Sequence, residues 1–236
     1  MIEWECTLAC NFNCSYCTNG RNQVIGQSIK AGKDYRRFIE CILKPLCKDD
    51  TLFLFGGEPA LHPYIDDIVA CLNDNDIDFM IQTNFSRPDI IIKLGCKTRV
   101  SIHKELDYKC YTRLPEVKHL LGVDVMYDGP DAIKRLKLAQ QFTDKAILVP
   151  VADFDGTQKH LDALRQFNVI KRAGILPCEE GTRSYTWQEF VEGKRTTIGK
   201  PCVYRTKYTL FDPAFNQWHC SHRINTDICK HNCFLM

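Results

Sequence analysis

With 236 residues, the chain is long enough for one domain of the α/β barrel type plus a small appendage and too short for two full-sized domains. Apolar residues make up 44%, charged residues 25%, and the formal net charge is only +2; this excludes a disordered or fibrous chain, and nothing argues for nucleic acid, although it stays open as a partner. No apolar run is long enough to span a bilayer, and the opening Ile2-Glu3-Trp4-Glu5 is not a secretion signal, so a cytoplasmic location with no membrane partner is expected.

Residues 2–7 predict a strand, and Cys10-Asn-Phe-Asn-Cys14-Ser-Tyr-Cys17 follows it as a loop at the C-terminal end, the functional face in barrels of alternating strands and helices. Three thiolates in this C-x3-C-x2-C pattern cannot fill the four iron sites of a [4Fe-4S] cube, so one iron is left for a small molecule. By spacing alone, a redox pair at Cys14 and Cys17, half of a zinc site or three buried thiols fit as well. Fourteen cysteines without an export signal are poorly explained as disulfides.

Between residues 34 and 46, Tyr35, Phe38, Ile39, Ile42, Leu43 and Leu46 recur at helical spacing. A strand at 51–55 is stopped by Gly56-Gly57, and Ile65, Ile68, Val69 and Leu72 mark the next helix. Strands at 77–83, 98–102, 123–126 and 146–151 alternate with helices at 88–94, 115–121, 131–142 and 157–167. Six strand-then-helix units predict parallel strands joined by helical crossovers. After Asn168 the pattern breaks, which divides the chain into a barrel at 1–168 and a cysteine-rich extension at 169–236. The extension opens to a predicted hairpin, 203–211 and 215–220, turned by Asp212-Pro213-Ala214.

The second motif, Gly56-Gly57-Glu58-Pro59, ends the second strand on the same face as the cysteine loop, and paired glycines let main chain approach a ligand closely. Alone it reads as a tight turn. Together with the cysteine motif one strand earlier, it resembles the signatures of the radical S-adenosylmethionine (radical SAM) superfamily. The resemblance covers roughly two thirds of the chain and implies a partial (β/α)6 TIM-like barrel, in agreement with the six units counted independently.

By that resemblance Cys10, Cys14 and Cys17 bind a [4Fe-4S] cluster and Tyr16 contacts adenine. Gly56, Gly57 and Glu58 meet the methionyl amino group, with Pro59 fixing the loop; Asn84 belongs to the same cofactor site, and Ser101 and His103 lie near the ribose. The implied chemistry is reductive cleavage of S-adenosylmethionine, with an electron from an external donor such as flavodoxin or ferredoxin, and hydrogen abstraction from a substrate.

Cys202, Cys220, Cys229 and Cys233 number four, enough for a second cluster with no open iron, as in the twitch or SPASM type of C-terminal extension. The glycine that the longer pattern places in the hairpin is Phe215 here, and the seven-cysteine set is absent. Structural zinc is the alternative, with His219, His222 and His231 as substitute ligands, and in either case Cys178 can replace one of the four cysteines. Cys6, Cys41, Cys47, Cys71, Cys96 and Cys110 read as small buried hydrophobes.

Strands buried on both faces should be almost continuously apolar. Glu3, Glu5 and Thr7 in the first strand, Gln82 and Asn84 in the third, and Arg99, Ser101 and His103 in the fourth break that rule, and Glu5, Gln82 and Arg99 are the candidate contacts to a polar substrate. A small metabolite or nucleoside ranks first, because no leader-peptide-binding domain precedes the barrel in this sequence. Oxidation is favoured if a second cluster is present; otherwise a redox-neutral modification, of a peptide or a nucleic-acid base, with zinc at the C-terminus. A non-catalytic iron–sulfur or zinc scaffold is the reading from another class.

Overall fold

The computed structural model describes residues 2–14, 17, 34–150 and 209–218. All six predicted strands form: β1 (Ile2–Thr7), β2 (Leu52–Gly56), β3 (Phe79–Thr83), β4 (Lys97–Ile102), β5 (Leu120–Tyr127) and β6 (Ala146–Pro150). They pair in parallel in sequence order, each reached through a helical connection among the described residues up to β6. The result is the α/β architecture of a partial TIM-like barrel. No helix among the described residues is long and apolar enough to cross a membrane.

Helix positions follow the apolar spacing. α1 (Tyr35–Phe38) runs through a π-helical stretch (Ile39–Leu43) into α2 (Lys44–Leu46), burying Phe38, Ile39 and Leu43. α3 (Ile65–Asp74) buries Ile65, Ile68, Val69, Cys71 and Leu72, and Asp66 and Asp67 lie in its first turn, where they complement the helix dipole. α4 (Pro88–Leu94) has Pro88 in its first turn and ends on Gly95 in the left-handed conformation, the usual pairing of residues at a start and a stop. α6 (Ala132–Ala139) buries Ile133 and Leu136.

The helix expected at 115–121 is a correction. The connection instead forms α5 (Tyr108–Tyr111) and a 3₁₀ turn at Leu114–Glu116, and Leu120 already belongs to β5. Leu120 is taken by the strand, and buried Leu114, Val117 and Leu120 satisfy one core without a continuous helical face. Among the cysteines read as buried, Cys6, Cys47, Cys71 and Cys110 are buried and Cys96 is half-buried. Cys41 is exposed on the outer side of its helix.

On the helix-facing side of the sheet, Trp4, Leu52, Leu54, Ile81, Val100, Val123 and Val125 are fully or almost fully buried. Side chains alternate along a strand, so the opposite face carries Glu5, Phe55, Gln82, Arg99, Ser101 and Asp124. This is the concave face of the barrel.

The predicted hairpin forms where it is described: β7 (Thr209–Phe211) and β8 (Gln217–Trp218) pair antiparallel. β7 then adds to the barrel sheet in parallel beside β1, Ile2 opposite Thr209 and Trp4 opposite Phe211. The turn is organised by buried Asp212, which accepts from Ala214 and Asn216 amides and, through Oδ2, from Trp218 Nε1 at 3.1 Å. Phe215, standing where the longer pattern has glycine, has φ +63°, the conformation that glycine adopts without strain. Its ring stacks on Phe38 at 4.5 Å between centroids, and that packing offsets a backbone cost of about 1 kcal/mol.

Candidate cofactor and substrate site

The two motifs meet at the C-terminal ends of β1 and β2. Gly57 N–H donates to Thr7 O and Glu58 N–H to Ala9 O, both at 2.7 Å, so the glycine loop lies backbone to backbone against the chain entering the cysteine loop. There is no space for side chains between them. A Cβ at Gly56 would lie 2.1 Å from Thr7 O, and one at Gly57 2.2 Å from Ala9 O.

Glu58 is fully buried and faces inward. Its Oε1 accepts from Thr83 Oγ1 at 2.7 Å and from Ala60 N at 3.0 Å, and its Oε2 accepts from Asn84 N at 2.6 Å. Burial pushes this carboxyl above the ordinary carboxylate range, and the three hydrogen bonds oppose the shift. The carboxylate therefore ties the end of β3 to the glycine loop, and the main chain of residues 56–58 is the part that borders the cysteine loop. Pro59 starts the 3₁₀ turn Pro59–Leu61 that Glu58 caps.

Asn84 extends the tie to the cysteines. Its Nδ2 lies 3.7 Å from Cys10 Sγ and donates to Asn11 Oδ1 at 3.1 Å, while its Oδ1 accepts from Ser86 N. The next residue, Phe85, is fully buried with φ +59°, a second left-handed non-glycine residue, held by an N–H bond to Thr83 Oγ1.

The three thiols sit on one loop. Cys10 Sγ accepts from Phe12 N at 3.4 Å, Cys17 N donates to Cys14 O at 3.1 Å, and Phe12, Cys17 and Met126 pack around buried Cys14. Burial pushes the Cys10 thiol up, against the Phe12 and Asn84 donors that favour its thiolate. Among the described residues no three Cys, His, Asp or Glu side chains converge as ligands of a single ion would. A cube held at separate irons does not need that convergence. Three thiols, N–H donors aimed at sulfur and an apolar shell fit such a group.

His103, expected near a ribose, lies with Nδ1 3.4 Å from Cys14 Sγ and its ring edge-on to Phe12. Burial, with Arg135 adding, pushes it down to about 4, so the imidazole is neutral at physiological pH. Ser101, one inward-facing step lower, accepts from Gln82 Nε2 at 3.0 Å.

On the concave face, Glu5 is 1% exposed and stands opposite Phe55. Gln82 and Arg99 are neighbours across β3 and β4. Arg99 grips Asp124 with both Nε, at 2.6 Å, and Nη2, at 2.8 Å, a bidentate geometry that fixes the guanidinium plane. Gly122 beside it leaves space, since a Cβ there would come no nearer to the guanidinium than 4.0 Å.

Sequence reasoning passed over Asp124, Asn11 and Glu105. Asp124 had a signal, a single acid inside the apolar run Val123-Asp124-Val125. Tyr16, Cys202, Cys220, Cys229, Cys233, Cys178, His219, His222 and His231 lie outside the described residues, as does the helix expected at 157–167.

Residues 4–105 match the family model of the radical SAM superfamily. By fold the chain is similar to SuiB of Streptococcus suis, with a TM-score of 0.59 at 15% identity, covering 98% of this chain and 62% of SuiB. The SuiB structure bound to S-adenosylmethionine gives a TM-score of 0.58 at 14% identity, again over 98% of this chain and 62% of SuiB. Native anSMEcpe with bound AdoMet gives 0.54 at 11% identity, over 98% of this chain and 76% of that one. The chain thus spans 62% of the length of SuiB. No curated protein matches its sequence.

Proposed function

Because residues 4–105 match the family model of the radical SAM superfamily, we propose that this chain is an enzyme of that superfamily, one that reductively cleaves S-adenosylmethionine and abstracts a hydrogen atom from a polar substrate. The observation that carries this reading is the docking of the two motifs on each other: Gly57 and Glu58 donate to the backbone that leads into Cys10, and Asn84 joins Glu58 to the Cys10 sulfur. A cluster bound there supplies an open iron for the cofactor and the electron for its cleavage.

The residues of the chain divide the remaining work. Cys10, Cys14 and Cys17 hold the cluster, and Tyr16 takes the adenine. Gly56, Gly57 and the main chain of Glu58 receive the methionyl amino group, on a loop that Pro59 stiffens. Asn84, Ser101 and His103 complete the cofactor side. Below them Glu5, Gln82 and Arg99, with Asp124 orienting Arg99, offer a buried carboxylate, an amide and a fixed guanidinium to a polar substrate. Such fixed polar groups suit a small metabolite or nucleoside.

A peptide is the second reading. SuiB, similar in fold, has been captured with the precursor peptide SuiA. We further assign Cys202, Cys220, Cys229 and Cys233 to a second cluster within a 169–236 extension following the 1–168 barrel, with structural zinc as its alternative. A flavodoxin or ferredoxin supplies the electron. If those four cysteines hold a cluster, oxidation is the favoured outcome, since such a group would offer an acceptor for the electron left on a substrate radical.

Anaerobic reconstitution with iron and sulfide tests the reading. The reduced parent should form 5′-deoxyadenosine from S-adenosylmethionine, Cys14→Ala should form none, and iron should fall from about eight to about four per chain in Cys229→Ala. Absence of 5′-deoxyadenosine from an iron-loaded, reduced parent would overturn the enzymatic reading, and about four irons in the parent would remove the second cluster.

A further inference from the structure

The segment leaving β4 delivers two ionisable side chains to one sulfur. Cys14 Sγ lies 3.4 Å from His103 Nδ1 and 3.7 Å from Glu105 Oε2. A turn closed by Leu106 N–H to His103 O, at 3.2 Å, brings Glu105 back towards the loop. Phe12 holds the imidazole edge-on at 5.9 Å between centroids, and Met126 and Cys17 complete the apolar surround of the sulfur.

As a thiol, Cys14 can donate its hydrogen to either neighbour. As a metal-bound thiolate it can only accept. The two contacts then take opposite signs: Nδ1–H makes a charge-assisted hydrogen bond to sulfur, whereas the Glu105 carboxylate faces a like charge at short range. Hydrogen bonds to the sulfurs and local charge are among the levers by which a protein sets the potential of an iron–sulfur cluster.

We propose that His103 and Glu105 set, from opposite sides, the reduction potential of the cluster bound through Cys14. The inference rests on the reading of Cys14 as a cluster ligand. The step concerned is the uptake of one electron from the low-potential external donor, with no proton transferred and no bond made or broken at either side chain. The added electron increases negative charge on the sulfurs, so the His103 hydrogen bond stabilises the reduced form and raises the potential. Glu105 disfavours the reduced form and lowers it. Both are positioning residues that act through Cys14.

The test is an EPR-monitored redox titration of the reconstituted full chain without S-adenosylmethionine. His103→Phe keeps a ring against Phe12 but removes the donor. At a fixed ambient potential its ratio of reduced to oxidised cluster should fall about tenfold, a shift of about 59 mV for a one-electron couple. His103→Gln, which keeps an N–H donor, should recover part of that shift, and Glu105→Gln should move the midpoint in the positive direction. A His103→Phe protein with its full iron complement that titrates with the parent overturns the inference. So does a Glu105→Gln midpoint at or below that of the parent, and this arm decides the matter if His103→Phe fails to hold iron. A parent that assembles no cluster overturns the functional reading, and this inference with it. A parent that cleaves the cofactor while the variants titrate alongside it overturns this inference alone.

Discussion

Replacing Gly57 by alanine is expected to destabilise the apoprotein by about 3 kcal/mol, lowering its melting temperature by roughly 9 °C, and to abolish iron retention. The added methyl would stand 2.2 Å from Ala9 O, 2.6 Å from Ala9 C and 2.7 Å from Leu8 O. All three are backbone atoms, so no flexible side chain can give way. Relief requires the 8–10 segment to move off the glycine loop, which breaks the Glu58 N–H to Ala9 O bond and displaces Cys10 from Asn84. Gly122→Ala is the control, because its Cβ meets only Arg99 Cζ at 4.0 Å. Thermal unfolding and iron content after reconstitution give both readouts. A Gly57→Ala protein as stable as the Gly122→Ala control would show that the close approach of the two loops is not required.

Glu58→Ala is expected to cost about 4 kcal/mol, because three buried donors lose their acceptor together: Thr83 Oγ1, Ala60 N and Asn84 N. Asn84 is also the link to Cys10 and Asn11, so iron retention should fall with stability. Glu58→Gln preserves the shape but turns an N–H group towards either the Asn84 amide or the Thr83 and Ala60 donors, and is expected to fall between parent and alanine.

The carboxyl also leaves a mark on pH dependence. Burial raises its pKa in the folded state above the unfolded value, so the folded chain holds this proton more tightly. The stability contributed by the proton is complete below the unfolded pKa and is lost as pH rises through the folded one. Urea midpoints across that range should decline with pH in the parent and flatten in Glu58→Gln. Equal slopes in the two proteins would contradict the assignment.

Much of this was legible in the sequence, because the barrel writes its strands as short apolar runs and its helices as apolar residues at helical spacing. The 34–46 helix, the stop at Gly56-Gly57 and all six strands follow from those local signals. What was illegible depends on contacts between distant segments. Arg99 read as a substrate contact, but its bidentate partner Asp124 is visible only once β4 and β5 are in register, with an irregularity between Thr98 and Arg99 that no local pattern marks.

His103 was legible as a polar residue ending β4, but not as a neighbour of Cys14, 89 residues earlier in the chain. Glu58 was legible as part of a motif. The inward turn of its carboxylate depends on where β3 ends. Phe85 and Phe215 show the limit of residue preferences: both are left-handed, and tertiary packing, complete burial for Phe85 and stacking on Phe38 for Phe215, overrides the bias towards glycine. The 115–121 helix failed for a related reason, since Leu120 is claimed by the sheet.

The proposed function depends on an iron–sulfur cube held by the Cys10–Cys14–Cys17 loop with one iron open to S-adenosylmethionine. The EPR spectrum of the reduced, reconstituted protein, recorded before and after addition of that cofactor, tests it most directly. A reduced-cluster signal whose g values shift when the cofactor is added is expected in the parent, and no such signal at this site in Cys14→Ala. A reduced cluster whose spectrum is the same with and without the cofactor would contradict it.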